Sequence, residues 1–308
     1  MLRYVAKRLV YMLITLFVIV SVTFFISKLL PGTPFADDKL TPQIREQLFE
    51  KYGLDEPLYV QYAKYVWNVA QGDLGNSFYY ESRPVTQMIL QRAPVSMFVG
   101  VQAVVFGLVV GLVLGVVAAL RHNTFWDTLA VVVAVIGIGV PNFVLGPLLQ
   151  YWFGVKLGWF PIAFFESYRH SVLPSLALSV FVISTVARFV RSEMLEVMGQ
   201  DYVVLARAKG ISNAAVIVRH VLRNALIPLI TVLAPLTIYL ITGSLVVEQI
   251  FAVPGIGEMF VQSVFVNDYA MILGTTIFFS ALFIAALLVQ DILYGVVDPR
   301  IRVSGAKE

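Results

Sequence analysis

The segment DYVVLARAKGISNAAVIVRHVLRNALIP, residues 201–228, is flanked by two apolar runs, 172–190 and 226–247. Each run is long enough to cross a bilayer, because about 20 apolar residues at about 1.5 Å rise span the roughly 30 Å hydrocarbon core. Arg191, Arg207, Lys209, Arg219 and Arg223 stand between the two apolar centres. Each would cost about 2.5–3.5 kcal/mol at a membrane centre, so the segment belongs in water. Its basic excess assigns it to the cytoplasmic side. A structured cytoplasmic loop between spans is a candidate docking surface.

Composition agrees with a membrane chain. The 308 residues are 59% hydrophobic and 13% charged, and mean hydropathy is +0.83. Soluble domains rarely reach such values. The net charge is +3 and the pI about 9.0. The basic residues cluster beside apolar runs, which positive-inside topology explains better than nucleic-acid binding. Cysteine is absent, which excludes disulfides, thiolate metal sites and thiol chemistry.

Six runs qualify as spans: 9–30, 95–120, 129–153, 172–190, 226–247 and 270–297. Arg3, Lys7 and Arg8 precede the first, as in a signal peptide. That run is too long for one, and no small-x-small cleavage pattern follows, so it reads as a retained anchor. Lys28 lies at its outer end, where it can snorkel. With the N-terminus inside, thirteen Lys and Arg fall in cytoplasmic connections and eight outside. Both termini are therefore expected in the cytoplasm. The expected organisation is an N-terminal end and anchor, 1–30; an external helical insertion, 31–93; a membrane core, 94–297, containing the basic loop 191–224; and a cytoplasmic tail, 298–308.

In the insertion, Thr41-Pro42 pairs an N-cap with a first-turn proline, and Gly53 ends the helix begun there. Pro57 opens a second helix that ends near Gly72, and residues 73–75 form a turn. Tyr62, Val66 and Val69 share one face of the second helix. Two readings stay open: a spacer packed on the outer mouth, or a contact surface for an external partner.

Within the spans the sequence reports packing more than chemistry. Gly107, Gly111 and Gly115 recur every fourth residue, a stripe whose physical use is close helix approach. Gly137, Gly139 and Pro141 loosen the third span and mark a kink. Pro254, Gly255 and Gly257 make a turn signal after the fifth span. No ionisable residue stands mid-span. Asp291 is nearest, about two turns from a span end, and reads as a helix-end residue paired with a nearby base. Ion-driven transporters use such groups, so a secondary transporter or channel is disfavoured. No Lys precedes Ser or Thr, so there is no P-loop. His122, His170 and His220 share no span with a candidate nucleophilic serine, and no HExxH or carboxylate cluster offers a metal site. The pattern is a conduit whose energy source lies on another polypeptide. A non-transport scaffold would leave the shaped loop idle.

In the loop, Asp201 suits an N-cap for a short helix over 202–209, and Gly210 suits its stop. Ser212 can cap a second helix running toward the fifth span. Small Ala206 and Ala208 permit close approach of a partner, and Arg207 and Lys209 keep the loop soluble. The charges alone fit equally well a basic cytoplasmic loop with no partner.

The loop also resembles the cytoplasmic signature of bacterial ATP-binding-cassette importer permeases, a Glu-Ala-Ala stretch followed by a glycine and later Ile-x-Leu-Pro. Ala206 matches the second alanine and Gly210 the glycine. Val204 and Leu205 replace Glu and Ala, and His220, Val221, Leu222 and Arg223 replace Ile-x-Leu-Pro. These departures are the form expected in the peptide-permease branch. Further matches are LRYVAKRLVYM (2–12), LPGTPF (30–35), YGLDEPLYVQY (52–62), GDLGNSF (72–78), LRHNTFWD (120–127), EQIFAVPGIG (248–257) and DILYGVVDPRIR (291–302). The chain resembles the B-type membrane subunit of oligopeptide permeases, in the binding-protein-dependent transport system inner membrane component family.

That resemblance implies an all-α polytopic membrane protein with six transmembrane helices, the type I ABC importer permease fold and a small helical extracellular insertion. It implies import of oligopeptides, with dipeptides, nickel chelates or another small solute as the alternative. The implied partners are a second homologous permease subunit, two cytoplasmic ATPase subunits, an extracellular peptide-binding protein, the peptide and the bilayer of a bacterial cell membrane. No cofactor is implied in this chain, since ATP and Mg bind the ATPase subunits, and no residue is implied to be catalytic. By position, the ATPase-coupling element is Ala206, Arg207, Ala208, Lys209, Gly210 and Ile211, and Pro254, Gly255 and Gly257 lie near the outer gate.

Overall fold

Helix ends in this chain follow its prolines and glycines. The computed structural model describes residues 2–29, 42–80 and 82–297. Thr41, the LPGTPF segment, residues 298–308 and the side chain of Asp291 lie outside the described residues. In order come α1 (Leu2–Ser27), α2 (Pro42–Lys51), α3 (Leu58–Ala70), α4 (Val85–Leu120), α5 (Phe125–Gly139), α6 (Asn142–Leu149), α7 (Val172–Met198) and α8 (Asp201–Ala208). There follow α9 (Asn213–Val216), α10 (Arg223–Leu226), α11 (Leu229–Ile241), α12 (Leu245–Ile250), α13 (Ile256–Phe265) and α14 (Tyr269–Val297). No strand occurs among the described residues. Five helical segments are long and apolar enough to cross a bilayer: Arg8–Ser27, Val85–Leu120, Tyr168–Met198, Leu229–Ile250 and Tyr269–Leu288. A bent pair, Phe125–Gly139 with Asn142–Lys156, makes a sixth if its pieces are one span. The chain is an all-α polytopic membrane protein.

The insertion helices lie where their punctuation puts them. Pro57 sits at the N-cap of α3. Gly53, Gly72 and Gly75 all have positive φ, and the Asp73 carboxylate accepts the Gly75 amide at 2.8 Å. The second span starts earlier than the sequence suggests, because α4 continues back to Val85 with Pro94 inside it. The third span is broken rather than kinked, its halves meeting at 104°. Pro141 explains the break: a residue before proline is driven out of the α region, and Val140 is extended at φ −86°, ψ 115°. Gly137 does not loosen the helix. A Cβ there would collide with Ser184 Oγ and Val180 on α7, so its absence permits contact.

Contacts divide the chain into two units, Met1–Pro94 with Gly255–Ala285, and Val95–Pro254 with Ala286–Glu308. The first has a core of Val85, Ile89, Ile256, Met259 and Met271. Arg92 and Glu258 form an ion pair between α4 and α13. Asp268 is fully buried. Its carboxylate accepts from the Ser77 hydroxyl, from the Phe78 amide at 3.2 Å and from the Met271 amide at 3.2 Å. One side chain thus fixes the GNSF turn and caps α14.

The second unit is built on α7, whose Leu173, Ala177, Val182, Val186, Val190 and Met194 are buried in its core. Between spans, lipid tails are as apolar as leucine, so close packing must supply the attraction. The glycine stripe of α4 provides it. A Cβ at Gly111 would lie 2.8 Å from Val186 Cβ, and one at Gly115 would lie 2.8 Å from Ala187 O.

Candidate functional site: the loop between the fourth and fifth spans

The loop folds as a helix, a tight reversal and a second helical segment. α8 has Gln200 at its N-cap, so Asp201 is its first residue rather than its cap, where an acid still favours the helix dipole. The C-terminus is closed by Gly210 at φ +78°. The Gly210 amide donates to Arg207 O at 3.0 Å, and the Ile211 amide donates to Ala206 O at 3.3 Å. This is the paired closure of a Schellman end, which needs a left-handed residue at the glycine. A Cβ on Gly210 would meet nothing within 4 Å, so the requirement is conformational rather than steric.

α8 is apolar on both sides. Val203 and Ala206 are buried in the core shared with α7, Val216 and Val221. Val204 at 56%, Leu205 at 55% and Ile211 at 37% are exposed, as are Arg207, Ala208, Lys209 and Gly210. Of the six residues expected to form one surface, Ala206 therefore faces the chain's own interior. Ser212 occupies the N-cap of α9 without a side-chain cap bond. The helix continues through a π-helical stretch, Ile217–Leu222, into α10. Asn224 donates to Tyr202 Oη at 3.1 Å and to His220 O at 2.8 Å, tying α10 to α8.

At this end of the unit, Asp127 at the start of α5 is buried, 4% exposed. Arg191 on α7 donates to its two oxygens from Nε at 2.6 Å and Nη2 at 2.9 Å. The Asn123 amide donates at 3.0 Å, and His122 Nδ1 lies 2.9 Å from Oδ2. A carboxylate that close selects the ring form with a proton on Nδ1. Sequence reading placed Arg191 in water and assigned Asp127 no role. The available signal was an acid in the first turn after a helix-breaking Arg-His-Asn-Thr.

Farther along, Gly243 has φ +98° and divides α11 from α12, where Ser244 accepts the Val247 amide at 3.2 Å. Glu248, placed outside the fifth span by sequence, lies within it and is 1% exposed. A Cβ on Gly243 would lie 2.7 Å from Glu248 Oε1 and 3.1 Å from Ser96 Oγ. Pro254 is exposed, whereas Gly255 and Gly257 are buried. Gly255 caps α13 at φ −96°, ψ −176°, an extended conformation open to any residue.

Residues 111–303 match the family model "binding-protein-dependent transport system inner membrane component", and residues 1–100 match the N-terminal model of the same systems. The dipeptide transport system permease protein DppB of Lactococcus lactis is 45% identical over 98% of this chain and 100% of its own length. The oligopeptide transport system permease protein OppB of Haemophilus influenzae is 37% identical over 98% and 100%. The inward-facing MetNI methionine ABC transporter contains a chain of the same fold, at TM-score 0.54 and 18% identity, covering 72% of this chain and 98% of that one. This chain belongs to the family of binding-protein-dependent transport system inner membrane components, as a transport subunit and not an enzyme.

Proposed function

We propose that this chain is a pathway-forming permease subunit of an ATP-driven importer of oligopeptides. The observation that carries this reading is end-to-end similarity to peptide permeases, over 98% of the chain. Its partners in this reading are a second homologous permease subunit, two cytoplasmic ATPase subunits that bind ATP and Mg, and an external peptide-binding protein. Dipeptides are the second reading, favoured by 45% identity to a dipeptide permease against 37% to an oligopeptide one. ATP-dependent uptake of a di- to hexapeptide series by the reconstituted complex separates the two. Uptake of dipeptides alone selects the second reading, and absence of ATP-dependent peptide uptake overturns both.

Coupling to the ATPases is assigned to Ala206, Arg207, Ala208, Lys209, Gly210 and Ile211. Exposed Val204, Leu205 and Ile211 in a water-facing loop offer apolar contact, and Arg207 and Lys209 offer charge. Buried Val203 and Ala206 pass a push on α8 into α7, and Asn224 passes it into α10. Pro254, Gly255 and Gly257 are assigned to the outer gate region, supported by their place after the fifth span.

Gly210→Val tests the loop. A non-glycine residue in the left-handed region costs about 1–2 kcal/mol, and a β-branched one more. Peptide-stimulated ATP hydrolysis by the complex is expected to fall several-fold, with Gly210→Asn much milder. Equal activity of Gly210→Val and the parent would remove Gly210 from the coupling element.

Six spans with both termini inside set a second expectation. Asn76 and Asn213 are exposed, and the chain has no cysteine. Asn76→Cys is expected to react with an impermeant thiol reagent in intact cells, and Asn213→Cys only after permeabilisation. The reverse pattern would sink this topology.

A further inference from the structure

α1 and α3 together fix the level of α3 relative to the bilayer. The apolar segment Arg8–Ser27 is 20 residues long, about 30 Å of helix, which matches the hydrocarbon core end to end. Ser27 then marks one boundary, and Ser21 lies about 9 Å inside it. α3 packs on this inner stretch. Tyr62 Oη is 2.6 Å from Ser21 Oγ. The Tyr62 ring lies 5.4 Å from Phe24 and 5.2 Å from Phe25, and Tyr65 stacks on Phe24 at 5.4 Å. Lys28 closes the crossing, donating to Gln61 Oε1 at 2.6 Å with its ammonium 5.4 Å from the Phe24 ring. For a tyrosine to reach the depth of Ser21, the backbone of α3 must run at the boundary rather than out in water.

The far side of α3 has the wrong chemistry for a helix backed by water. A water-backed helix carries a polar outer face. Here the residues turned away from α1 are Tyr59, 75% exposed, and Trp67, 69% exposed, with exposed Ala63 between them. Lys64 is the helix's one charged side chain. α1 also carries exposed apolar side chains, with Leu13, Ile14, Phe17 and Ile26 all more than half exposed.

We propose that α3 is an interfacial helix, seated flat in the headgroup layer where α1 leaves the bilayer, with Tyr59 and Trp67 as its lipid anchors. Aromatic rings with a polar edge concentrate at that depth, and helices of this kind bury their apolar side about 5–10 Å into the headgroup–acyl boundary. Lys64 is neutralised by Glu56, whose carboxylate accepts from its ammonium at 2.5 and 2.7 Å, so the helix brings no unpaired charge to this depth. The partner of this surface is therefore lipid rather than a soluble protein, and the insertion holds α1 at a fixed height and rotation.

Site-directed spin labelling tests this in the assembled complex in lipid nanodiscs. Tyr59→Cys, Trp67→Cys and, as an aqueous control, the exposed Asp55→Cys are labelled singly, with the unsubstituted complex as blank. Labels at 59 and 67 are expected to show an oxygen-to-nickel-chelate collision ratio several-fold above that at 55, unchanged by added peptide-binding protein. Ratios equal to that at 55 would overturn the proposal. So would chelate access at 59 and 67 that disappears on adding the binding protein, or labels shielded from both quenchers. Trp67 fluorescence in a Trp126→Phe, Trp152→Phe, Trp159→Phe chain gives a second reading, with quenching by brominated lipid expected and its absence counting against.

Discussion

Gly111→Leu is expected to destabilise this protein strongly. The α4–α7 contact leaves no room at this position: a Cβ would lie 2.8 Å from Val186 Cβ, 2.9 Å from Ile183 O and 3.0 Å from Val186 Cγ1. Two of these atoms belong to a β-branched side chain with one accessible rotamer in a helix, and the third is backbone. None can yield without moving α7. Overpacking a tight interior costs about 1–3 kcal/mol and occasionally more, and spreading the helices also forfeits close contacts on both sides of the stripe. A large fall in the apparent unfolding temperature of the detergent-solubilised complex is expected. Gly111→Ala should fall less, and Val186→Ala should recover only the share due to the Cγ1 contact in either background, because alanine keeps the Cβ at 2.8 Å and the backbone contact with Ile183 remains. Gly139 provides the contrast, since a Cβ there meets nothing within 4 Å. Gly139→Ala should be neutral or slightly stabilising, because alanine gains up to about 1 kcal/mol over glycine in a helix. Similar losses at positions 111 and 139 would mean that the stripe does not hold the two helices.

Local chemistry was legible in the sequence where one residue decides the backbone. Gly53, Gly72, Gly75 and Gly210 end or turn their segments at positive φ, and Pro57 opens α3 as its rigid φ requires. The Gly107, Gly111 and Gly115 stripe was legible because its period of four needs only a neighbouring helix. Long-range pairing was not. Ser77 and Asp268 are 191 residues apart, and nothing near either names the other. Asp127 and Arg191 are 64 apart, and each alone reads as an ordinary charge at a span end. α8 shows a different limit. Its residues Tyr202, Val203, Val204, Leu205 and Ala206 form an unbroken apolar run, which carries no period to separate the inward Val203 and Ala206 from the outward Val204 and Leu205. The break at Val140 was underestimated for a physical reason: proline sets the backbone before it, but the angle depends on what α6 packs against, and α7 and α12 supply that surface.

Asp127→Ala is expected to release the connection between α4 and α5 from α7. Four donors converge on this carboxylate, two from Arg191, one from the Asn123 amide and one from His122. The Asp127 side chain is 6% exposed and that of Arg191 26%. Removing the acid leaves a half-sheltered guanidinium, an amide and an imidazole without their acceptor. Breaking a buried ion pair from one side costs about 3–5 kcal/mol; partial solvent access to Arg191 brings the expected loss to about 2–3 kcal/mol. Arg191→Lys should lie between parent and Asp127→Ala, because an ammonium keeps the charge but not the two-pronged geometry. The decisive comparison is Asp127→Leu with Arg191→Met, which removes both charges and fills similar volume. If the pair is what fastens this corner, the double variant should be more stable than Asp127→Ala, with a coupling energy in the full cycle of at least about 1 kcal/mol. The corner adjoins α8 through α7, so the same cycle read as peptide-stimulated ATP hydrolysis should show non-additive losses. Additive losses in both readouts would reduce the pair to two independent helix-end charges.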